Sequence, residues 1–170
     1  MKKISIIVLI LSILIITGCE KEKTSNKVIS NGKEINTSSM EHKHCTRQGS
    51  VTDGEADLNY DIYYTGDILN VVKSEEKVTS DNEEVLNTYE NAYRSIKSHY
   101  VGLEYYDITV TRTDNSVAIN MLINYDKLDV DKLSAIEGKT SSVFENKKAK
   151  VANWLALAKK VGTKCKIVED

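Results

Sequence analysis

The 170-residue chain has no proline, which rules out a polyproline spacer between its parts. Glycine is scarce at eight residues, and no Gly/Ser repeat or internal duplication is visible. Phenylalanine and tryptophan occur once each and histidine three times, too few for a histidine-rich metal tract. No serine sits in a nucleophile-elbow pattern, and Ser134 and Ser142 lie in no motif, so hydrolysis by a Ser-His-acid arrangement lacks its first signature. No cofactor motif appears, and we read the chain as neither an enzyme nor a cofactor protein. There is no basic excess either, with 23 Lys+Arg against 25 Asp+Glu, and that balance argues against nucleic acid as a partner. Abundant Lys, Asn, Ile and Ser beside absent proline is the usage of an AT-rich genome and carries no chemistry.

What is present begins at the amino terminus. Lys2 and Lys3 precede an apolar run from Ile4 to Ile16 that only Ser5 and Ser12 interrupt, the pattern of a secretory signal. The run falls short of the roughly 20 residues a spanning helix needs and meets the charged Glu20-Lys21-Glu22-Lys23. Ile16-Thr17-Gly18-Cys19 resembles the lipobox of bacterial lipoproteins: an aliphatic residue, two small ones that admit the signal peptidase, and a cysteine to carry the lipid. Residues 1–18 are therefore expected to be a lipoprotein signal peptide. Cys19 becomes the acylated first residue of a domain facing the extracytoplasmic side of the cell membrane. Two acyl chains contribute ~0.8 kcal/mol per buried methylene, enough for stable anchoring. Loss of Lys2 and Lys3 leaves 21 Lys+Arg against 25 Asp+Glu, a net charge of −4.

From Glu20 to His44 the sequence is polar, with scattered Val28, Ile29, Ile35 and Met40, and reads as a flexible tether. The folded domain is expected over 45–170. Cys45 to Val51 suggests a first strand. Leu58, Tyr60, Ile62 and Tyr64 alternate with polar neighbours as a second, and Thr65-Gly66-Asp67 turns into a third from Ile68 to Val78. Ser80 and Glu83 have capping-box spacing before a helix carrying Val85, Tyr89, Ala92, Tyr93, Ile96 and Tyr100, with Gly102 as its stop. Tyr106 to Val110 and Val117 to Tyr125 form a second hairpin, Asp129 caps a short turn, and residues 146–161 give a last helix with Val151, Trp154, Leu155, Ala158 and Val161 on one face. The order β-β-β-α-β-β-α predicts an α+β domain, an antiparallel sheet of about five strands with two helices packed on one face. Ile62, Ile96, Ile119 and Leu155 are the expected core, at ~1.5 to 3 kcal/mol for each fully buried side chain.

A lipobox, a polar tether, Tyr64-Thr65-Gly66-Asp67, a central amphipathic helix and Val117 to Leu133 occur in that order, and together they resemble the YehR-like lipoprotein family. Ile123-Asn124-Tyr125-Asp126-Lys127-Leu128-Asp129 is similar to the family's alternating strand running into an acidic turn, and Gly162 falls where its last helix ends. The resemblance covers Asp57 to Gly162, and the Cys45 and Cys165 pair departs from the family pattern. It implies a small α+β domain and lends no catalytic residue.

Three local features invite chemistry. His42-Lys43-His44-Cys45, preceded by Met40, offers ligands suited to zinc or copper, but a structural zinc site needs about four ligands and the remaining histidine, His99, falls on the central helix. A tether end that happens to contain histidines is the plainer reading, so no metal site is assigned. Asp126, Asp129 and Asp131 lack the spacing of a calcium loop and read as a solvated turn with a cap. Nine tyrosines, five of them Tyr60, Tyr63, Tyr64, Tyr105 and Tyr106 on predicted strands, would either line the core margin or present a face for a peptide or glycan.

Cysteine arithmetic completes the reading. Export removes the cytosolic reductants, and lipidation of Cys19 leaves Cys45 and Cys165 as a pair, so a disulfide joining the two ends of the domain is expected, with two separate buried thiols as the alternative. Loop entropy gives such a closure ~4 to 5 kcal/mol as an upper figure. The functional expectation is a membrane-anchored, non-catalytic binding or accessory domain whose partner is an envelope protein or a small ligand. The alternative is an envelope enzyme or metal-handling factor using His42 and His44.

Overall fold

The computed structural model describes residues 27–30, 33–139 and 141–169. The signal-peptide and Cys19 readings lie outside the described residues. Six strands form one antiparallel sheet: β3 (Glu41–Val51), β4 (Gly54–Thr65), β5 (Ile68–Thr79), β6 (Tyr106–Arg112), β7 (Ser116–Asn124) and β10 (Lys164–Ile167), in the order β10-β3-β4-β5-β7-β6. Two small hairpins accompany it, β1 (Lys27–Ser30) with β2 (Lys33–Asn36), and β8 (Phe144–Glu145) with β9 (Lys148–Ala149). The helices are α1 (Glu83–His99), α2 (Val130–Glu137) and α3 (Val151–Lys160).

The expected α+β architecture is observed, with three helices among the described residues instead of two. All three pack on one face, because the period of two in a strand sends alternate side chains there. Under α1 lie Leu58, Val78, Val117 and Ile119; under α3 lie Cys45, Ile62, Leu69 and Val72; Ile123 and Leu133 seat α2. Ile62 and Ile119 are in the core as expected, Leu155 is only partly buried beside it, and Ile96 is 40% exposed. The correction at Ile96 is one of phase. Leu86 and Tyr93 point α1 inward, and Ile96, three residues after Tyr93, falls at the margin of a stripe that does not continue through the last turn.

Caps and turns explain other displacements. Asn82, not Ser80, caps α1, its side chain accepting from the Glu84 N–H at 3.0 Å, while the Ser80 hydroxyl is drawn into the β3–β4 turn, donating to the Asp53 carbonyl. Asp129 caps α2 by accepting from the N–H groups of Asp131 and Lys132, so the expected short turn is a full helix. α3 starts at Val151, five residues later than expected, because Asn146 and Lys147 adopt positive φ and close the β8–β9 hairpin. Tyr63 pairs with Val71 and Tyr64 with Leu69, so Asn70 is an extra residue on β5. This bulge brings Leu69 onto the same face as Val72.

The tether boundary also moves. The polar stretch was expected to run to His44, yet β1 and β2 form a hairpin within it and β3 begins at Glu41. Val28, Ile35 and Met40, too sparse to signal a strand, pack on Tyr63, Val71 and Leu122 of the face opposite the helices.

Candidate functional site

On β3 the side chains of Lys43, Cys45 and Arg47 belong to the helix face, and those of His42, His44 and Thr46 to the opposite, open face. Lys43 Nζ lies 5.6 Å from the Tyr64 ring centre, whereas His42 stacks on Tyr63 with ring centres 4.5 Å apart. The His42 to Cys45 cluster therefore does not converge as a ligand set. Strand alternation separates the sulfur from the imidazoles, and Cys45 Sγ is 2.10 Å from Cys165 Sγ, in the disulfide. The two cysteines are direct partners in the β3–β10 register. No group of three His, Cys, Asp or Glu among the described residues is placed to hold a metal ion.

The register brings the imidazoles to a carboxylate instead. His44 lies opposite Asp61 and His42 opposite Tyr63, and Asp61 Oδ1 accepts from His42 Nε2 at 3.0 Å and His44 Nδ1 at 2.8 Å. Burial alone would raise the Asp61 carboxyl, but the two imidazole hydrogen bonds outweigh it and hold it below the ordinary carboxylate range. The other ring nitrogen of His42, Nδ1, is buried and has no hydrogen-bond partner among the described residues.

Reading across the strands, one row of the open face runs Lys166, His44, Asp61, Lys73, Leu122 and Asp107. Both imidazoles bond the same Asp61 oxygen, and Lys73, the cross-strand neighbour of Asp61, forms no ion pair among the described residues; neither does Lys166. At the far side Asp107 Oδ2 accepts from the Ser30 hydroxyl at 2.6 Å, which fastens the β1 hairpin to β6. Between the hairpin and β10 the row forms the floor of an open basin of about 1180 Å³. From β10 to β7 the sheet covers four strand spacings, ~19 Å, room for an extended ligand or a surface contact.

Other candidate residues serve the scaffold. Tyr60 meets Trp154 edge to face at 5.3 Å, and Tyr100 and Tyr106 stack at 4.5 Å, so these rings line the core margin. Tyr93 donates to Glu76 at 3.0 Å; burial and that carboxylate push its hydroxyl well above the phenol range. Of the five strand tyrosines singled out, only Tyr63 lines the basin. Asp126 accepts from Asn70, Asp129 caps α2 and Asp131 pairs with Lys147 at 2.7 Å. Sequence reading named His42 and His44 but missed Asp61, Lys73 and Lys166. The signal for Asp61 was present: it sits among the polar alternates of β4 and would have been paired with His44 had β3 been extended back to Glu41.

No protein-family model and no curated protein matches the chain. Among solved structures, the NMR structure of the Escherichia coli YehR protein superimposes with a TM-score of 0.54 at 20% identity, over 77% of this chain and 94% of that one. The fold is YehR-like. An NMR structure of a protein from Streptococcus pneumoniae TIGR4 aligns with a TM-score of 0.49 at 12% identity, over 82% and 90% of the two chains. At these identities the YehR-like likeness concerns the fold and transfers no residue's function.

Proposed function

We propose that the protein is a lipid-anchored extracytoplasmic lipoprotein whose YehR-like domain is a non-catalytic binding module, with the open sheet face as its binding surface. The observation that carries the binding reading is the basin itself. Helices cover one face of the sheet, while the other keeps about 1180 Å³ open over His44, Asp61, Lys73 and Asn120. Placement outside the cytoplasm rests on the lipobox Ile16 to Cys19 and on the Cys45–Cys165 disulfide, a bond that reducing compartments disfavour. Cells expressing the full chain should incorporate labelled fatty acid into it, and Cys19→Ser should abolish the label; acyl labelling of that variant would overturn the anchor.

One observation favours a catalytic reading. His44 Nδ1 is held by Asp61, the arrangement that fixes an imidazole as a general base. It lacks a hydroxyl or thiol nucleophile in any recognised motif, which is why binding is preferred. Turnover of ester or glycoside substrates that His44→Ala abolishes would replace the binding reading with an enzymatic one.

A further inference from the structure

The tether shortens once the fold is known. β1 starts at Lys27, so seven residues separate it from Cys19. Fully extended, the eight Cα steps from Cys19 to Lys27 reach at most ~29 Å. That is about the diameter of a domain this size, and Lys27, Val28 and Ile29 themselves line the basin. The leash thus leaves from the wall of the basin and keeps that wall near whatever surface holds the anchor.

The rim suits such a surface. Ile29 on β1 and Ile167 on β10 are 68% and 66% exposed at the two edges of the basin, Ile29 on the side of β1 away from Val28 and Ile167 on the side of β10 that it shares with Cys165. Between them Lys73 and Lys166 are exposed and without ion-pair partners among the described residues. Asp61 and Asp107 keep their negative charge in the same row while accepting from the two imidazoles and from Ser30, so the row alternates in sign and Lys73 and Lys166 act as separate ammonium contacts. Exposed aliphatic side chains beside unpaired ammonium groups are the chemistry of a peripheral membrane surface: the chains enter the headgroup boundary and the lysines meet phosphate. The mature chain carries a net −4, so contact with an anionic bilayer has to be made locally, through exposed ammonium groups such as these.

We propose that the basin and its Ile29 and Ile167 rim dock the domain on anionic lipid headgroups of the membrane that anchors it. This deepens the anchored-module reading and rests on it. The mature chain carrying Cys19→Ser, which removes the acyl group and keeps every described element, is mixed with phosphatidylglycerol vesicles, with phosphatidylcholine vesicles, and with phosphatidylglycerol vesicles plus inorganic phosphate. The account expects sedimentation with phosphatidylglycerol, weakened by salt, and little with phosphatidylcholine. Lys73→Gln with Lys166→Gln should lower partition roughly 30-fold. Both side chains are exposed, so an unchanged circular dichroism spectrum should accompany the loss. Equal binding to phosphatidylcholine, insensitivity to the double variant, or no binding to phosphatidylglycerol would each overturn the proposal. Displacement by millimolar phosphate would do so too, marking a free-anion site or a protein partner's anchor point. Mass spectrometry of Cys19 in the native protein is a separate reading. An unmodified cysteine would end the lipid anchor while leaving the vesicle result standing.

Discussion

Along β4, Ala56, Leu58, Ile62 and Tyr64 point to the helices and are buried, while Asp57, Asn59, Asp61 and Tyr63 point to the open face. One strand therefore supplies both the core and the basin. The helix face carries two apolar clusters, one around Val117 and one around Cys45, that meet at Tyr60; the open face is a row of charges interrupted by the small Val28, Tyr63 and Val71 cluster under the β1 hairpin. What the difference teaches is a division of labour: substitutions on the helix face should act on stability, and substitutions on the open face should act on binding.

The sharpest separation should come from Ile62→Ala, which removes a fully buried side chain beneath α3 and should cost ~2 to 5 kcal/mol in urea unfolding. A loss under 1 kcal/mol would mean that the α3 side of the core tolerates a void and that the contrast between faces is shallow. Removing the disulfide with Cys45→Ala and Cys165→Ala should cost ~2 to 4 kcal/mol, since it frees a closure of 120 residues and releases β10, a short edge strand with every residue exposed. Amide exchange should rise first over Lys164–Ile167; protection unchanged there would show that β10 holds its place without the bond.

Asp61→Asn tests the border between the two kinds of surface. It leaves two imidazoles with a weaker acceptor and should cost ~1 to 3 kcal/mol. The sign of the pH effect follows from the depressed carboxyl. Its stabilisation is present above the unfolded value of ~3.9 and is lost as pH falls through the lower folded value, so wild-type stability should drop in that acid window and the Asn variant's should not share that component. Parallel acid profiles would remove Asp61 from the account. Smallest in stability should be Lys73→Ala, within ~0.5 kcal/mol, because the side chain is exposed and unpaired among the described residues. A larger loss would show that Lys73 belongs to the scaffold.

Much of the helix face was legible in the sequence, because the alternation of Leu58, Ile62 and Tyr64 and the helical spacing of Tyr89 and Tyr93 each describe one buried side. The start of the last helix is placed five residues too early by the sequence because a two-residue hairpin such as Phe144–Glu145 with Lys148–Ala149 has no period to detect. β10 was missed for a similar reason. Lys-Cys-Lys-Ile is a strand only because the disulfide and the β3 edge hold it. The open face was least legible. His44, Asp61, Lys73 and Lys166 are far apart in the chain and meet only through strand register, and the hairpin beside them looked like linker because its apolar residues contact Tyr63 and Val71 and not each other in a continuous run.

The central claim, that the open face does the binding while the helix face only folds, is tested most directly by amide-resolved NMR of the mature Cys19→Ser chain titrated with phosphatidylglycerol bicelles. The account predicts that resonances of Val28, Ile29, His44, Lys73, Lys166 and Ile167 shift together while those of α1 and α3 stay in place. Shifts concentrated on α1 or α3, with the basin unmoved, would contradict it.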